Sequence, residues 1–353
     1  MIVSEKSFSL TVRWVPIFAL RSEGFISIIA YFLRGNGILG EEKQKCMSRY
    51  FLKRGWRDAS VSVLLFALVL GLALPEIFSP FQAQSTFLLQ VIFFLTSLRI
   101  GFQGVWIELQ SWKTLLWITS WMLLFLPVMV FFLVEPFFPV LTLPLLLLAA
   151  MPVGMTTPLL TQLLQLNTSL ALSLTLLTSL LAPFTVPLLV SIFAGSAGRI
   201  IEIEHLFITL IQVIIVPFVF AQILRWLAPR WIGATRGWHK PTSLFFVGLL
   251  IAAVAGRYHE ALLARFTVEH GLGLLVMSLF FLLTHLIGYW IVWWRSREDR
   301  LTITFSMVYM NFTLAIFIAE KFFGDPSIIF YTILSIIPWN ISMFMFQRFL
   351  IHR

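Results

Sequence analysis

The residues of this chain that could do chemistry are few, and each sits in a strongly apolar setting. One group is the run Ala149-Ala150-Met151-Pro152-Val153-Gly154-Met155-Thr156-Thr157-Pro158, with Thr161 close behind it. Two prolines six residues apart, with a glycine between them, take backbone hydrogen bonds out of any helix that passes through. The freed carbonyls and amides then need partners from neighbouring helices, hydroxyls, water or a ligand. A second group is Thr302, Thr304, Ser306, Asn311 and Thr313. An amide such as Asn311 at membrane depth is expensive unless paired, so it is either a ligand contact or half of an interhelical hydrogen bond worth about 0.6–2 kcal/mol. His285 is the one histidine inside a long apolar run. It could relay a proton near neutral pH, or stay neutral and hydrogen-bonded across helices.

These are groups that bind or relay rather than break bonds. An intramembrane enzyme needs acid, base, nucleophile or metal ligands clustered at one depth. The histidines His205, His239, His259, His270, His285 and His352 are dispersed, and no Gly-x-Ser-x-Gly elbow or His-x-Glu pairing occurs. Tyr258-His259-Glu260 reads as a solvated loop cluster. The single cysteine, Cys46, excludes a disulfide framework and a cysteine-based metal site. The expectation is a protein that is not an enzyme and carries no cofactor.

The elements that must position these groups are membrane helices. Of 353 residues, 59% are apolar and only 12% charged, with a mean hydropathy of +0.93. A soluble domain carries about 25% charged residues. Crossing a bilayer takes roughly 20 apolar residues, and ten stretches qualify: 59–78, 87–105, 113–133, 140–164, 169–193, 205–227, 242–256, 272–294, 301–323 and 326–349. None alternates as a barrel strand would, so each is expected to be a helix. The seventh is short.

The surplus of +9 charges is scattered between the apolar runs, which argues against nucleic acid as a partner. It reports orientation instead. With ten spans, 21 of the 25 lysines and arginines fall on one side, leaving Arg199, Arg257, Arg265 and Lys321 on the other. The positive-inside rule then puts both termini in the cytoplasm of a multi-pass protein of the inner or plasma membrane. Tryptophans near span ends (Trp112, Trp226, Trp290, Trp293, Trp294) read as interfacial belts. Residues 1–58 form a basic extension whose apolar stretch 24–33 is too short to span, and Met47 is a candidate alternative start.

Spans four and nine carry the polar interiors and hold corresponding places in two sets of five. An odd-membered half must be followed by a half of opposite orientation, which is the inverted-repeat plan of secondary transporters. The halves would be 59–193 and 194–353.

From Pro152-Val153-Gly154-Met155-Thr156-Thr157, through Asn167, to Leu181-Ala182-Pro183 and Val186-Pro187-Leu188-Leu189, the chain resembles the bile acid:sodium symporter family. Fainter echoes are Phe94…Leu98 with Glu108-Leu109, Val216-Pro217, and Asn311…Leu314-Ala315. The resemblance implies an all-α fold of ten transmembrane helices in two inverted five-helix repeats, with helices four and nine broken and crossing. It also implies transport of small amphipathic organic anions coupled to sodium. The sequence departs from the family at the ion ligands. The family's Ser-Asn pair falls on Thr157 and Pro158, and the fifth-helix hydroxyls fall on Ala171 and Thr175, with Thr178 and Ser179 a turn further. The ninth-helix acid falls on Ser306 and its glutamine on Met310, while its asparagine is Asn311; the third-helix glutamine is Met122. No acid lies mid-span, since Glu76 and Glu320 are near span ends. Sodium has Thr157, Thr175 and Asn311 left to it, and family-type coupling is not expected.

The expected function is therefore secondary active transport of an organic anion by alternating access. Thr156, Thr157, Thr161, Thr175, Thr178, Ser179, Ser306, Asn311 and His285 are the candidates for the solute and ion route. The rival is a binding or scaffold protein on the same fold. The arsenite-efflux branch lacks support, because no thiol stands in the fourth span.

Overall fold

A computed structural model describes residues 63–100, 108, 110–155, 157–196, 201–263 and 268–346. The extension 1–58, Met47 and Thr156 lie outside the described residues. Every named element among the described residues is helical. In chain order they are α1 (Val63–Ala73), α2 (Pro75–Ser97), α3 (Trp112–Val134), α4 (Pro139–Ala150), α5 (Thr157–Leu163), α6 (Thr168–Ser196) and α7 (Ile203–Leu227). Then follow α8 (Pro229–Arg257), α9 (His259–Leu263), α10 (Val268–Trp290), α11 (Arg297–Val308), α12 (Phe312–Ile318) and α13 (Pro326–Phe346).

Seven of these, α2, α3, α6, α7, α8, α10 and α13, are long and apolar enough to cross a membrane. The stretches expected at 59–78, 140–164 and 301–323 are represented by α1, by the pair α4 and α5, and by the pair α11 and α12. Two boundaries differ from expectation for clear reasons. The helix expected at 87–105 starts at Pro75 and ends at Ser97, and tightens to a 3₁₀ turn over Ser79–Gln84 where Pro80 lacks an amide hydrogen. The helix expected at 242–256 begins at Pro229 and continues through Pro241. Its first three turns hold Arg230, Arg236, His239 and Lys240 together with Gly233 and Gly237, so charge and glycine make the segment read as loop, while Pro229 at the first helical position favours a helix start.

Two interior prolines have a further local effect. Pro127 and Pro217 each follow a wide turn, Trp121–Phe125 and Ile211–Ile215, in which the amides of Leu126 and Val216 reach back five residues. The wider turn relieves the clash between a proline ring and the carbonyl four residues earlier.

Along one flank α2 packs on α7 and α8. Gly71 of α1 approaches α8 so closely that a Cβ there would lie 2.4 Å from the Ala252 carbonyl oxygen. Elsewhere α3 lies on α4, and α10 lies on α11 and α13. Every residue from Leu301 to Glu320, across α11 and α12, is buried. Phe66, Phe87, Phe132, Phe184, Phe220 and Leu275 are exposed instead. An apolar exterior around a polar-containing centre is the pattern expected of a chain solvated by lipid.

Polar knots close the two ends of the α11–α12 segment. At its start, the Asn167 amide donates to Glu108 (3.2 Å) and Asp299 (2.8 Å), and Arg295 pairs with both acids at 3.7 and 2.9 Å. The Arg295 Nε–H points off the line to Asp299, so that contact is ionic rather than an aligned hydrogen bond. At its far end, Gln82 donates to Glu320 and Lys321 donates to Thr86 (2.8 Å).

Candidate functional site

The fourth-span stretch leaves helical geometry at Met151, whose φ/ψ of −72°/143° is extended, and resumes as α5 at Thr157. The proline and glycine content accounts for this break. The ninth-span stretch stops at Tyr309 (φ/ψ −83°/59°) and resumes after Asn311 (−81°/83°) without a proline or glycine. Its cause is the first break. Val153 and Met310 form an antiparallel bridge; the Gly154 amide donates to the Tyr309 carbonyl at 2.7 Å, and the Asn311 amide donates to the Pro152 carbonyl at 2.9 Å. Each interruption satisfies backbone groups that the other leaves unpaired, as hydrocarbon depth demands.

Side chains complete the junction. The Val153 amide donates to Thr178 Oγ1 (3.1 Å), which itself donates to the Leu174 carbonyl (2.7 Å). Thr157 Oγ1 donates to the Tyr309 carbonyl at 3.4 Å. The last carbonyl of α11, Val308, accepts from Trp339 Nε1 at 2.8 Å. Asn311 caps α12: its Oδ1 accepts from the Leu314 amide (3.2 Å) and from Thr313 Oγ1 (2.7 Å). Tyr309 stacks on Phe305 at 5.3 Å between ring centres, and Trp339 lies against both Tyr309 and Phe312.

The candidate residues therefore separate into groups. Thr157, Thr178 and Asn311 are brought together at the junction. Thr175 and Ser179 lie on α6 within one turn of Thr178; Thr175 donates to the Ala171 carbonyl at 2.8 Å, whereas the buried Ser179 hydroxyl has no partner. Thr161 sits one turn beyond Thr157 and donates to Pro158, and Ser306 sits before the second break and donates to Thr302. His285 is apart from them on α10. Its Nδ1 contacts the Phe281 carbonyl at 2.7 Å, its Nε2 is buried without a partner, and its ring lies on Phe346.

The hydroxyls of Thr157, Thr175 and Ser306 donate to carbonyls and keep their oxygen lone pairs, whereas Thr178 Oγ1 and Asn311 Oδ1 already accept from the protein. What a family-type sodium site would lack here is a carboxylate. The nearest acids along the ninth-span stretch, Asp299 and Glu320, stand at its two ends, in the polar knots.

Five contributors had no assigned role in the sequence. Trp339 follows Pro338 in an apolar run, and its bond to Val308 depends on a break that contains no proline or glycine. Asn167 carried family resemblance but no stated role. Arg295 and Asp299 are four residues apart, but Glu108 and Asn167 come from distant parts of the chain, so no local pattern marks the cluster.

If the cap holds α12 in place, Asn311→Ala should lower the melting temperature of the purified protein by an amount corresponding to about 0.5–2 kcal/mol. Asn311→Ser, which keeps an acceptor oxygen, should recover most of it. Equal losses in the two variants would show that the cap contributes little.

Comparison with known proteins gives one family match: the model of the SBF-like CPA transporter family matches residues 58–353. No curated protein matches the chain.

Proposed function

The chain belongs to the SBF-like CPA transporter family, and from that premise we propose that it carries a small amphipathic organic anion across the membrane by alternating access at the junction of the two broken helices. It is a membrane transporter by family. The finer reading has ten spans in two inverted repeats, 59–193 and 194–353, with the α4–α5 and α11–α12 pairs as the broken, crossing helices four and nine. Both termini lie in the cytoplasm, and the protein has no enzymatic activity. The observation that carries the proposal is the mutual pairing of Pro152–Gly154 with Tyr309–Asn311. Interrupted helices at matching positions mark the midplane substrate site of repeat-built transporters, and a plain membrane anchor gains nothing from two of them.

In this reading the half-helices form the part that moves, and the committed hydroxyls of Thr157, Thr175 and Thr178 hold its shape. Ser179, whose hydroxyl is buried and unpaired, is the candidate for direct contact with solute. Thr161 and Ser306 flank the same stretch. His285 donates along its own helix and is the group available for proton-linked transport.

Sodium coupling of the family type is not part of the proposal, because the acid and the amide that would complete a site are replaced by Ser306 and Pro158. Full-length protein in proteoliposomes, given radiolabelled cholate as the probe anion, tests both halves of the reading. Saturable uptake is expected, at the same rate with an inward sodium gradient and with potassium in its place. A sodium-dependent rate would overturn the coupling statement. Absence of flux for cholate and for a panel of other organic anions would favour the binding or scaffold reading.

A further inference from the structure

The end of the bundle where α2, α7 and α8 meet gathers positive charge that nothing in the transport reading uses. Arg99 follows the end of α2, Arg225 lies in the last turn of α7, and Arg236, His239 and Lys240 lie on α8. Arg236 is within electrostatic reach of Arg99 and Arg225, and Arg99 is within reach of His239 and Lys240. The ends are tied together by Gln222, which donates to the Ser97 carbonyl at 3.0 Å, and by the apolar contact of Leu98, Ala221 and Ile232.

Charges of one sign held together at partial burial destabilise a fold unless a counter-charge is present. Among the described residues, no ion pair joins Arg99, Arg225 or Arg236 to a carboxylate. His239 is 4% exposed and Lys240 is 7% exposed. Three buried polar atoms at this place have no hydrogen-bond partner: Arg225 Nη1, His239 Nδ1 and Ser97 Oγ, the last on a fully buried residue. The other ring nitrogen of His239 contacts Thr235 Oγ1 at 3.0 Å, which holds the ring in place. A guanidinium nitrogen and a hydroxyl left open beside three further cations make a donor set for an oxyanion, and a bound oxyanion would favour the imidazolium form in which His239 Nδ1 donates as well.

The surroundings indicate where the oxyanion comes from. Trp226, Trp231 and Trp238 are 81%, 56% and 60% exposed, and form an aromatic rim on α7 and α8 suited to the headgroup level of a bilayer. Further along α7, the exposed Phe220 packs on Phe94 at 5.5 Å, next to the exposed Ile223, which gives an apolar surface beside the charged end. Basic pockets between transmembrane helices with acyl-chain surface next to them suit anionic headgroups.

We infer that this cluster binds a phosphate oxyanion, supplied by the headgroup of an anionic phospholipid that seats between α2, α7 and α8. The site shares no helix with the junction of broken helices, so it acts on the flank of the bundle rather than on the solute. A lipid held there would tie α2, α7 and α8 to the bilayer while the half-helices move.

The experiment uses the full-length protein in nanodiscs of phosphatidylcholine, with and without phosphatidylglycerol, and in phosphatidylcholine with added inorganic phosphate. Melting temperature and the lipid retained in native mass spectrometry are the readouts. Phosphatidylglycerol is expected to raise the melting temperature of the wild type and to be retained. Arg225→Gln/Arg236→Gln should weaken that binding by about tenfold or less for each cation removed, and Lys113→Gln should leave it unchanged. Arg236 is exposed, so Arg236→Gln alone supplies a folded variant should the double substitution fail to fold. Protection by inorganic phosphate without protection by phosphatidylglycerol would support the oxyanion site and assign it a soluble ligand. Absence of both effects in the wild type, or an undiminished phosphatidylglycerol effect in the variants, would overturn the inference.

Discussion

Gly154→Ala is expected to reduce solute flux by about 10- to 1000-fold while leaving the protein inserted in the membrane. A Cβ at position 154 would lie 2.8 Å from the Tyr309 carbonyl oxygen, 3.0 Å from Tyr309 Cδ1 and 3.3 Å from the Met310 carbonyl oxygen. Two of these three atoms are backbone, and both belong to the break that Gly154 helps to hold. Relief therefore requires the two interruptions to separate, which strains the 2.7 Å bond from the Gly154 amide to the same Tyr309 oxygen. Overpacking of a tight site costs about 1–3 kcal/mol, and the bond is worth about 0.5–1.5 kcal/mol more. Each 1.4 kcal/mol is a factor of ten, which sets the expected range. The double variant Gly154→Ala/Tyr309→Ala discriminates the cause. It removes the ring carbon but leaves both carbonyl oxygens, so flux should stay low. Recovery would mean that the ring, and not the paired backbone, is what the glycine accommodates.

The same junction shows which features could be read from the sequence and which could not. Pro152, Gly154 and Pro158 announce the first break because their effect on a helix is local and intrinsic. The second break has no such residue. Tyr309, Met310 and Asn311 are ordinary helix formers or nearly so, and they unwind because an interrupted segment some 150 positions earlier offers a carbonyl and an amide at the right place. The polarity around Asn311, the matching places of the fourth and ninth spans and the family resemblance mark the region, but no residue in it accounts for the break itself. A residue pattern can report its own backbone preference, but a strand-like contact between two breaks belongs to neither segment alone.

Charge was legible in sum and illegible in arrangement. The distribution of lysines and arginines between loops supports a topology without showing which of them meet. Arg99 and Arg225 lie more than a hundred positions apart, yet both are within electrostatic reach of Arg236. Charge, glycine and a proline make 230–241 read locally as loop, while the burial of His239 and Lys240 on α8 is a tertiary fact. Sodium reasoning ran the other way: the residues Pro158 and Ser306, where the resembling family has its amide and acid, are visible in one dimension.

Arg295→Gln should be the most destabilising single change in the polar knot at the start of α11, and more so than Asp299→Asn. Arg295 stands between Glu108 and Asp299, whose side chains are only 11% and 13% exposed. Both carboxylates also share the amide of Asn167, which in turn caps α6 by accepting from the Leu170 amide at 3.0 Å. Removing the cation leaves two acids facing one another with a single neutral donor between them, and little water to screen them. Breaking a fully buried pair costs about 3–5 kcal/mol; the residual exposure here lowers the expectation to about 1–3 kcal/mol. Asp299→Asn instead leaves Arg295 with Glu108 and keeps an acceptor for Asn167, so its cost should be smaller. The sign of the coupling follows: Arg295→Gln/Asp299→Asn should melt higher than Arg295→Gln alone, because the second substitution removes one of the two stranded charges. A double-mutant cycle on melting should return an interaction of about 0.5–3 kcal/mol. Strict additivity would mean that the three loops are held by Asn167 and the backbone, with the ion pairs as bystanders. The knot matters beyond stability because it joins the loop before α3, the loop between α5 and α6, and the start of α11. If the half-helices move against the flank of the bundle, these loops must travel as one body, and loosening them should slow flux even where the junction itself is intact.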